Sequence, residues 1–338
     1  MTKTAHILSV SQSQSQVPDI GAMDVATVCK AAGDPLRIQI LHLLEQDAFG
    51  VLELCRILEV RQPALSHHLK ILATAGLVTT RREGTYIYYR RALGQRDGLD
   101  ELRQQVFSSL NACELESEIA GRLVVEQKTR AARSENFFHA NAEKFRDQQD
   151  LIASYAQYGE LIEQSVDALA VSSVARVLEI GPGEGELLSA LSARFDQVVA
   201  LDNSQAMLDK SRAFAKRNAL ENIQFYHGDT TELVKERGAS KGDLSDVVTL
   251  NMVLHHIPSP GEIFKDIFCL LNEGGALLVT ELCEHDQDWA REACGDVWLG
   301  FEPEALSQWA IAAGLQCGDS QYLALRNGFR IQVRQFYK

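Results

Sequence analysis

The stretch Val177–Leu188, VLEIGPGEGELL, decides the fold of the larger part of this 338-residue chain. Val177, Leu178 and Ile180 flank Glu179 and run into Gly181, Gly183 and Gly185, after which Leu187, Leu188 and Leu191 take up helical spacing. The pattern predicts a strand, a glycine turn and a helix, the opening of a Rossmann-like nucleotide site. Glycines suit that turn because the backbone must bend tightly and approach a ligand that a Cβ would block. A dinucleotide fingerprint would put its third glycine where this chain has Glu186, whose carboxylate at a helix start would repel a pyrophosphate. NAD is therefore disfavoured.

Three further apolar runs follow at α/β spacing. Val198–Leu201 ends on Asp202 and Asn203, Ile223–Tyr226 ends on His227, Gly228, Asp229 and Thr230, and Val247–Leu250 ends on Asn251. Polar groups thus recur at the carboxyl ends of successive strands, where open α/β sheets bind ligands. A fifth strand is expected over Ala276–Thr280, and an Asn-Gly turn at Asn327 and Gly328 predicts a terminal hairpin, Gln321–Leu325 with Phe329–Phe336.

In order, EIGPGEG, ALDNSQAML, HGDTTEL, NMVLHHIP and LNEGGALLVTE resemble a class I S-adenosylmethionine-dependent methyltransferase of the ubiquinone/menaquinone C-methyltransferase type, from Val177 to about Gly275. The resemblance implies a seven-stranded α/β sheet. It also implies that Glu179, Gly181, Gly183 and Gly185 surround the methionine part of S-adenosylmethionine or S-adenosylhomocysteine. Asp202 and Asn203 would then meet the ribose, Asp229 and Thr230 the adenine, and Asn251 the sulfonium. His255, His256, Glu281, His285 and Asp286 are candidates to face the sulfonium as catalytic groups, while no methyl acceptor is identified. Glu179, Glu184, Asp202 and Asp229 are expected to form an acidic rim favouring the sulfonium over the neutral thioether.

The chain carries a net charge of −13, which alone argues against nucleic acid. Its distribution argues the other way: Arg61, Lys70, Arg81, Arg82, Arg90, Arg91 and Arg96 fall in one stretch opposed by Glu83 alone. Around that island, Asp34 and Pro35 are an N-cap and first helical residue for Pro35–Gln46, and Val51–Leu58 forms a short helix after Gly50. A second helix from Arg61 or Gln62 turns Leu65, Leu69 and Leu72 inward and stops at Gly76. Leu77–Thr80 and Thr85–Tyr89 form a basic hairpin with Gly84 at its tip.

DPLRIQILHLL, QPALSHHLKILATAGLV and RREGTYIYYR resemble the ArsR/SmtB family of winged helix-turn-helix transcription factors over about Met23–Leu110. The resemblance implies an operator-reading helix in the major groove with Gln62, Ser66, His67 and Lys70 toward the bases or phosphates, and Arg81, Arg82 and Arg90 on a phosphate-binding wing. It also implies a homodimer on double-stranded DNA, the terminal helices forming the interface. Metal-sensing relatives place a C-x-C pair before the recognition helix; here Cys55 is followed at that spacing by Ile57. With seven cysteines in no C-x-C or C-x-x-C pair, no metal site is expected, and Cys55 is read as a buried core thiol.

The expected architecture is multidomain. A disordered Ser/Gln-rich tail (1–21) precedes a mainly α winged helix-turn-helix DNA-binding and dimerisation domain (22–112). A solvent-bathed helical linker (113–133) then leads to a Rossmann-like class I methyltransferase domain that binds the cofactor (134–338). Phe137, Phe138, Phe145, Tyr155 and Tyr158 are either core or cover for the cofactor's mouth. No apolar run reaches membrane-spanning length, so a cytoplasmic protein without membrane contact is expected. Two functions fit: a ligand-responsive regulator, or a working methyltransferase with an appended winged helix.

Overall fold

The computed structural model describes residues 21–338 except 46, 84–85, 93–96, 142–144, 172–174, 238–242 and 258, and for 83, 86, 133–141, 145, 147 and 292 it describes the backbone alone. The polar tail, the wing-tip Gly84, Arg96, and the side chains of Phe137, Phe138 and Phe145 lie outside the described residues.

The first unit comprises α1 (Ala22–Ala32), α2 (Pro35–Leu43), β1 (Phe49–Gly50), α3 (Val51–Leu58), α4 (Gln62–Thr74), β2 (Val78–Glu83), β3 (Tyr86–Arg91) and α5 (Asp100–Asn111). Asp34 caps α2, its carboxylate accepting from the Arg37 amide at 3.1 Å. Gly76 takes φ +64°, the left-handed turn that ends α4 and feeds β2. Leu65, Leu69 and Leu72, all fully buried, key α4 into a core with Ile40, Leu41, Leu54 and Ile57. The β2–β3 ladder is antiparallel from Val78↔Arg91 to Glu83↔Tyr86, with β1 on the far edge of β3. This is the winged helix-turn-helix arrangement.

Next come α6 (Ser117–Asn141), α7 (Phe145–Ile152), α8 (Tyr155–Asp167), β4 (Arg176–Ile180), α9 (Leu188–Arg194), β5 (Gln197–Asp202), α10 (Gln205–Arg217), β6 (Ile223–His227), α11 (Thr230–Arg237) and β7 (Ser245–Asn251). A single 3₁₀ turn, Leu254–His256, precedes α12 (Pro260–Leu270), β8 (Leu271–Leu282), α13 (Trp289–Cys294), α14 (Pro303–Ala312), β9 (Gln316–Ala324) and β10 (Arg330–Tyr337). Seven strands form one sheet in the order β6-β5-β4-β7-β8-β10-β9. The first five are parallel, and β10 inserts antiparallel between β8 and β9. This is the Rossmann-like methyltransferase fold, with apolar cores on both faces of the sheet. Strand order reverses between β4 and β7, which opens a crevice at their carboxyl ends.

The expected solvent-bathed linker needs correction, because α6 is packed on two sides. On one, Arg122 Nε donates to the Ile57 carbonyl at 2.6 Å, Glu126 takes a two-pronged bond from Arg56 (2.6 and 2.8 Å), and Arg130 pairs with Glu53 while donating to the Ala48 carbonyl. Ile119, Glu126 and Arg130 are buried there. The interleaved charges that read as a wet surface are an ion-paired seam against α3.

The wing also departs from expectation, for it packs on the larger unit. Arg81 donates to the carbonyls of Leu299 and Gly300 and pairs with Glu284 at 3.1 Å; Arg90 pairs with Glu302. Tyr88 meets Trp298 edge-on at 5.4 Å between centroids, and Arg130 lies 4.6 Å from the Phe49 ring centre and 5.5 Å from that of Trp298. Among the described residues no helix is long and apolar enough to cross a membrane.

Candidate functional site

The crevice at the sheet's carboxyl edge is a cleft of about 990 Å³. It gathers Gly181, Gly183, Asp202, Asn203, Asp229, Thr230 and Asn251 from the ends of β4, β5, β6 and β7. Gly181 (φ +69°) bonds through its amide to the Leu201 carbonyl at 2.8 Å, and a Cβ there would stand 2.5 Å from Val253. At Gly183 (φ +57°) a Cβ would meet nothing within 4 Å, so the turn presents bare backbone to the opening. Met252 also takes a left-handed conformation (φ +55°), strain held on the cleft's floor by the Thr280 carbonyl.

Two residues predicted to touch the ligand, Glu179 and Gly185, do not border the cleft; they lie behind the glycine turn. Glu179 is 1% exposed, one carboxylate oxygen has no hydrogen-bond partner, and burial pushes its pKa up to about 8. Asn251 likewise keeps a buried carbonyl oxygen without a partner. Asp202 accepts the Ser204 amide at 2.8 Å and burial raises its pKa to about 6. Asp229 accepts the Glu232 amide, and Thr230 donates to Asp266 at 2.6 Å.

The acidic rim is more balanced than its sequence suggests. Glu184 pairs with Lys210 at 2.7 Å and Glu186 with Arg146 at 2.7 Å, while Glu179 holds its proton near neutrality, so charge alone offers less preference for a sulfonium than expected.

Of the candidate catalytic groups, His256 alone borders the cleft. Its Nε2 lies 3.2 Å from the Gln149 amide nitrogen, and burial together with neighbouring His255 lowers its pKa well below the ordinary value, keeping it neutral. His255 and Glu281 are fully buried behind it, Nδ1 to carboxylate at 2.6 Å. His285 packs edge-on against Phe329 at 4.7 Å and Asp286 is exposed away from the cleft, so the expectation that they face a sulfonium is corrected.

Sequence reasoning missed the cleft's opposite wall. Leu123, Val124, Gln127, Lys128 and Ala131 of α6 line it, with Arg146, Gln149 and Asp150 of α7. Tyr155 and Tyr158, left open between core and cover, both border the cleft, and Tyr158 also belongs to the buried core. A second apolar stripe on α6, Leu123–Val124 with Ala131, was the available signal.

On the first unit, Gln62, Ser66, His67 and Lys70 share the exposed face of α4. Arg82 is exposed on β2, whereas Arg81 and Arg90 are turned into the contact with Glu284 and Glu302. Arg91 is buried, bonded to the Leu41 carbonyl and Asn111, so the basic island is smaller at the surface than in the sequence. Cys55 is half-buried rather than buried.

Residues 34–80 match the family model "Bacterial regulatory protein, arsR family", and residues 152–317 match that of a methyltransferase domain. An uncharacterized HTH-type transcriptional regulator of Methanocaldococcus jannaschii is 46% identical over 67 residues, 19% of this chain and 73% of that one. The biofilm growth-associated repressor of Agrobacterium fabrum is 40% identical over 86 residues, 25% of this chain and 74% of its own. A ubiquinone biosynthesis O-methyltransferase of Acinetobacter baylyi is 28% identical over 146 residues, covering 43% of this chain and 60% of the enzyme, so the chain spans under two thirds of that relative.

Proposed function

Because the chain belongs to the arsR family of bacterial regulators and carries a methyltransferase domain, we propose that it is a DNA-binding repressor whose larger domain binds S-adenosylmethionine or S-adenosylhomocysteine as effector. The protein acts in the cytoplasm as a homodimer on a two-fold operator, α4 entering the major groove through Gln62, Ser66, His67 and Lys70.

The cleft's chemistry suits an adenosyl sulfur compound. Its volume fits a ligand of that size, Asp202 offers a carboxylate to vicinal hydroxyls, and Gly183 admits close approach. The buried oxygen of Asn251, which borders the cleft, offers an acceptor for an ammonium at the methionine end. Asp229 and Thr230 would border the adenine. When bound, S-adenosylmethionine supplies an electrophilic methyl group.

One observation carries the regulatory reading: α6 forms a wall of the cleft with one face and is ion-paired to α3 of the DNA-binding unit with another. A ligand that shifts α6 therefore acts directly on the reading head, and also on the wing docked at Leu299 and Gly300. In the docked state Arg81 and Arg90 are withheld from phosphate; release would add them to the interface. A ligand biases the two states only by its differential affinity, typically about 1–3 kcal/mol.

Titrating each compound into full-length protein during operator binding tests this. A change in operator affinity of about 5- to 150-fold with one of them is expected; unchanged affinity with both refutes the sensor. The rival, methyl transfer to an acceptor, is favoured only by a neutral His256 at the cleft, and turnover of labelled cofactor with a cell extract, using Asp202→Ala as blank, decides it.

A further inference from the structure

Behind the cleft, His255, His256 and Asp296 come together out of solvent, with one potential ligand atom from each lying within 4.8 Å of the others. His255 Nε2 and His256 Nδ1 each lie 3.8 Å from Asp296 Oδ1. We propose that His255 Nε2, His256 Nδ1 and the Asp296 carboxylate bind a first-row divalent transition ion such as zinc.

Two features support a bound ion. Asp296 is 4% exposed, yet among the described residues neither carboxylate oxygen has a hydrogen-bond partner; nor has His255 Nε2. A buried carboxylate without donors is costly, and 3.8 Å is too long for His255 to satisfy it directly. Second, Glu281 accepts from His255 Nδ1 at 2.6 Å and is itself fixed by the His255 amide (3.0 Å) and the Leu282 amide (2.6 Å). In a metal-bound state that carboxylate–histidine pairing would leave Nε2 as the lone-pair nitrogen, the outer-shell arrangement typical of bound metal.

A tetrahedral ion with bonds of ~2.1 Å holds its ligands ~3.4 Å apart, so the two 3.8 Å separations must contract by a few tenths of an ångström and the two imidazoles, within 4.8 Å of each other, must close around the ion. His256 Nδ1 now lies 3.4 Å from the Gly295 carbonyl; binding an ion would replace that long contact, with Nε2 donating to the Gln149 side-chain oxygen after rotation of that amide. Two imidazoles and one carboxylate select zinc or its neighbours over magnesium or calcium. Sequence spacing hid the set, since Asp296 follows His256 by forty residues. An ion here would tie the 3₁₀ turn on the cleft's floor to the segment whose Leu299 and Gly300 receive the wing, a segment already stitched to the His255 carbonyl by the amides of Val297 and Trp298.

The test is zinc titration of chelator-treated, dialysed full-length protein, followed by isothermal calorimetry and thermal unfolding. One ion per chain and a raised Tm are expected, with no response to magnesium. Asp296→Asn and His255→Gln should each weaken zinc at least 100-fold, and Glu281→Gln 10- to 100-fold. Cobalt absorption of the wild type needs no variant: a tetrahedral nitrogen/oxygen spectrum supports the site, whereas a thiolate charge-transfer band would assign binding to cysteines and overturn it. No saturable zinc binding by the wild type, or full affinity in a folded Asp296→Asn variant, would also overturn it.

Discussion

Replacing Glu284 and Glu302 with glutamine removes the acidic half of the wing's docking surface while leaving every residue assigned to DNA untouched. Arg81 loses its ion pair but keeps the carbonyls of Leu299 and Gly300; Arg90 loses Glu302. The arginine side chains are 11% and 21% exposed and their partners 36% and 43%, so each pair lies between a surface bridge and a buried one. Exposed pairs contribute about 0.2–1 kcal/mol, and bonds to charged groups in drier places about 1.5–3 kcal/mol. Discounted for the half-exposed carboxylates, about 1 kcal/mol per pair and about 2 kcal/mol for both is a fair figure.

Apparent affinity scales with the fraction of molecules whose wing is free. Where the docked state dominates, weakening it by about 2 kcal/mol raises that fraction, and the operator affinity with it, by up to about 30-fold, and by about fivefold if only half that energy is realised. Removing two negative charges also strengthens DNA binding nonspecifically. The control is therefore Glu221→Gln/Glu273→Gln, which makes the same charge change at exposed positions outside the wing contact. Fluorescence anisotropy with a duplex selected in vitro, at fixed ~0.15 M salt to limit long-range effects, measures both. Equal affinity of the two double variants, or weaker binding by Glu284→Gln/Glu302→Gln, would refute the idea that docking withholds the wing.

Asp202→Ala should weaken S-adenosylhomocysteine by about 30- to 1000-fold in calorimetry, the loss of two bonds to a carboxylate at about 1–2 kcal/mol each, without changing the head's unfolding; affinity within threefold of wild type would move the ribose elsewhere. Glu179 is buried with its pKa pushed up to about 8, whereas in the unfolded chain it ionises in the ordinary carboxylate range, so folding holds a proton there that is lost as pH rises. Stability of the larger unit should therefore fall between about pH 5 and pH 8, and less steeply in Glu179→Gln; urea unfolding across that range reads this, and equal slopes in wild type and variant would count against it. Glu53→Ala removes the carboxylate from the 5%-exposed Arg130, which keeps the Ala48 carbonyl, and should cost about 1.5–3 kcal/mol of stability, read by urea unfolding; a cost below 1 kcal/mol would mean that the α3–α6 seam carries little weight.

Local chemistry made much of this molecule legible beforehand. The glycine turn after Val177–Ile180, the Asp34 cap, the bounds of Val51–Leu58 and the stop at Gly76 each depend on residues within a few positions of one another. What stayed hidden are pairings across long sequence separations. Arg81 looks like a phosphate ligand until Glu284 lies beside it, Glu184 looks like a free rim charge until Lys210 neutralises it, and His255 looks catalytic until Glu281 buries against it. In each case a charge was read as solvent-facing because its partner sat elsewhere in the chain, and charge patterning carries no information about such closure.

That same blindness explains why α6 was taken for a connector. Its Arg56- and Glu53-paired residues Glu126 and Arg130 are satisfied on α3 while Leu123, Val124 and Ala131 border the cleft, so the helix is held on two sides with a strip around Val125 left in solvent. A rigid helix gripped on both faces cannot follow a ligand on one side without moving or straining its ion pairs on the other, because packed interfaces hold discrete arrangements rather than bend continuously. Under the proposed effector mechanism, the Arg56–Glu126 and Glu53–Arg130 pairs are where ligand occupancy would be converted into head geometry. A ligand whose bound position left α6 undisturbed would fill the cleft and regulate nothing.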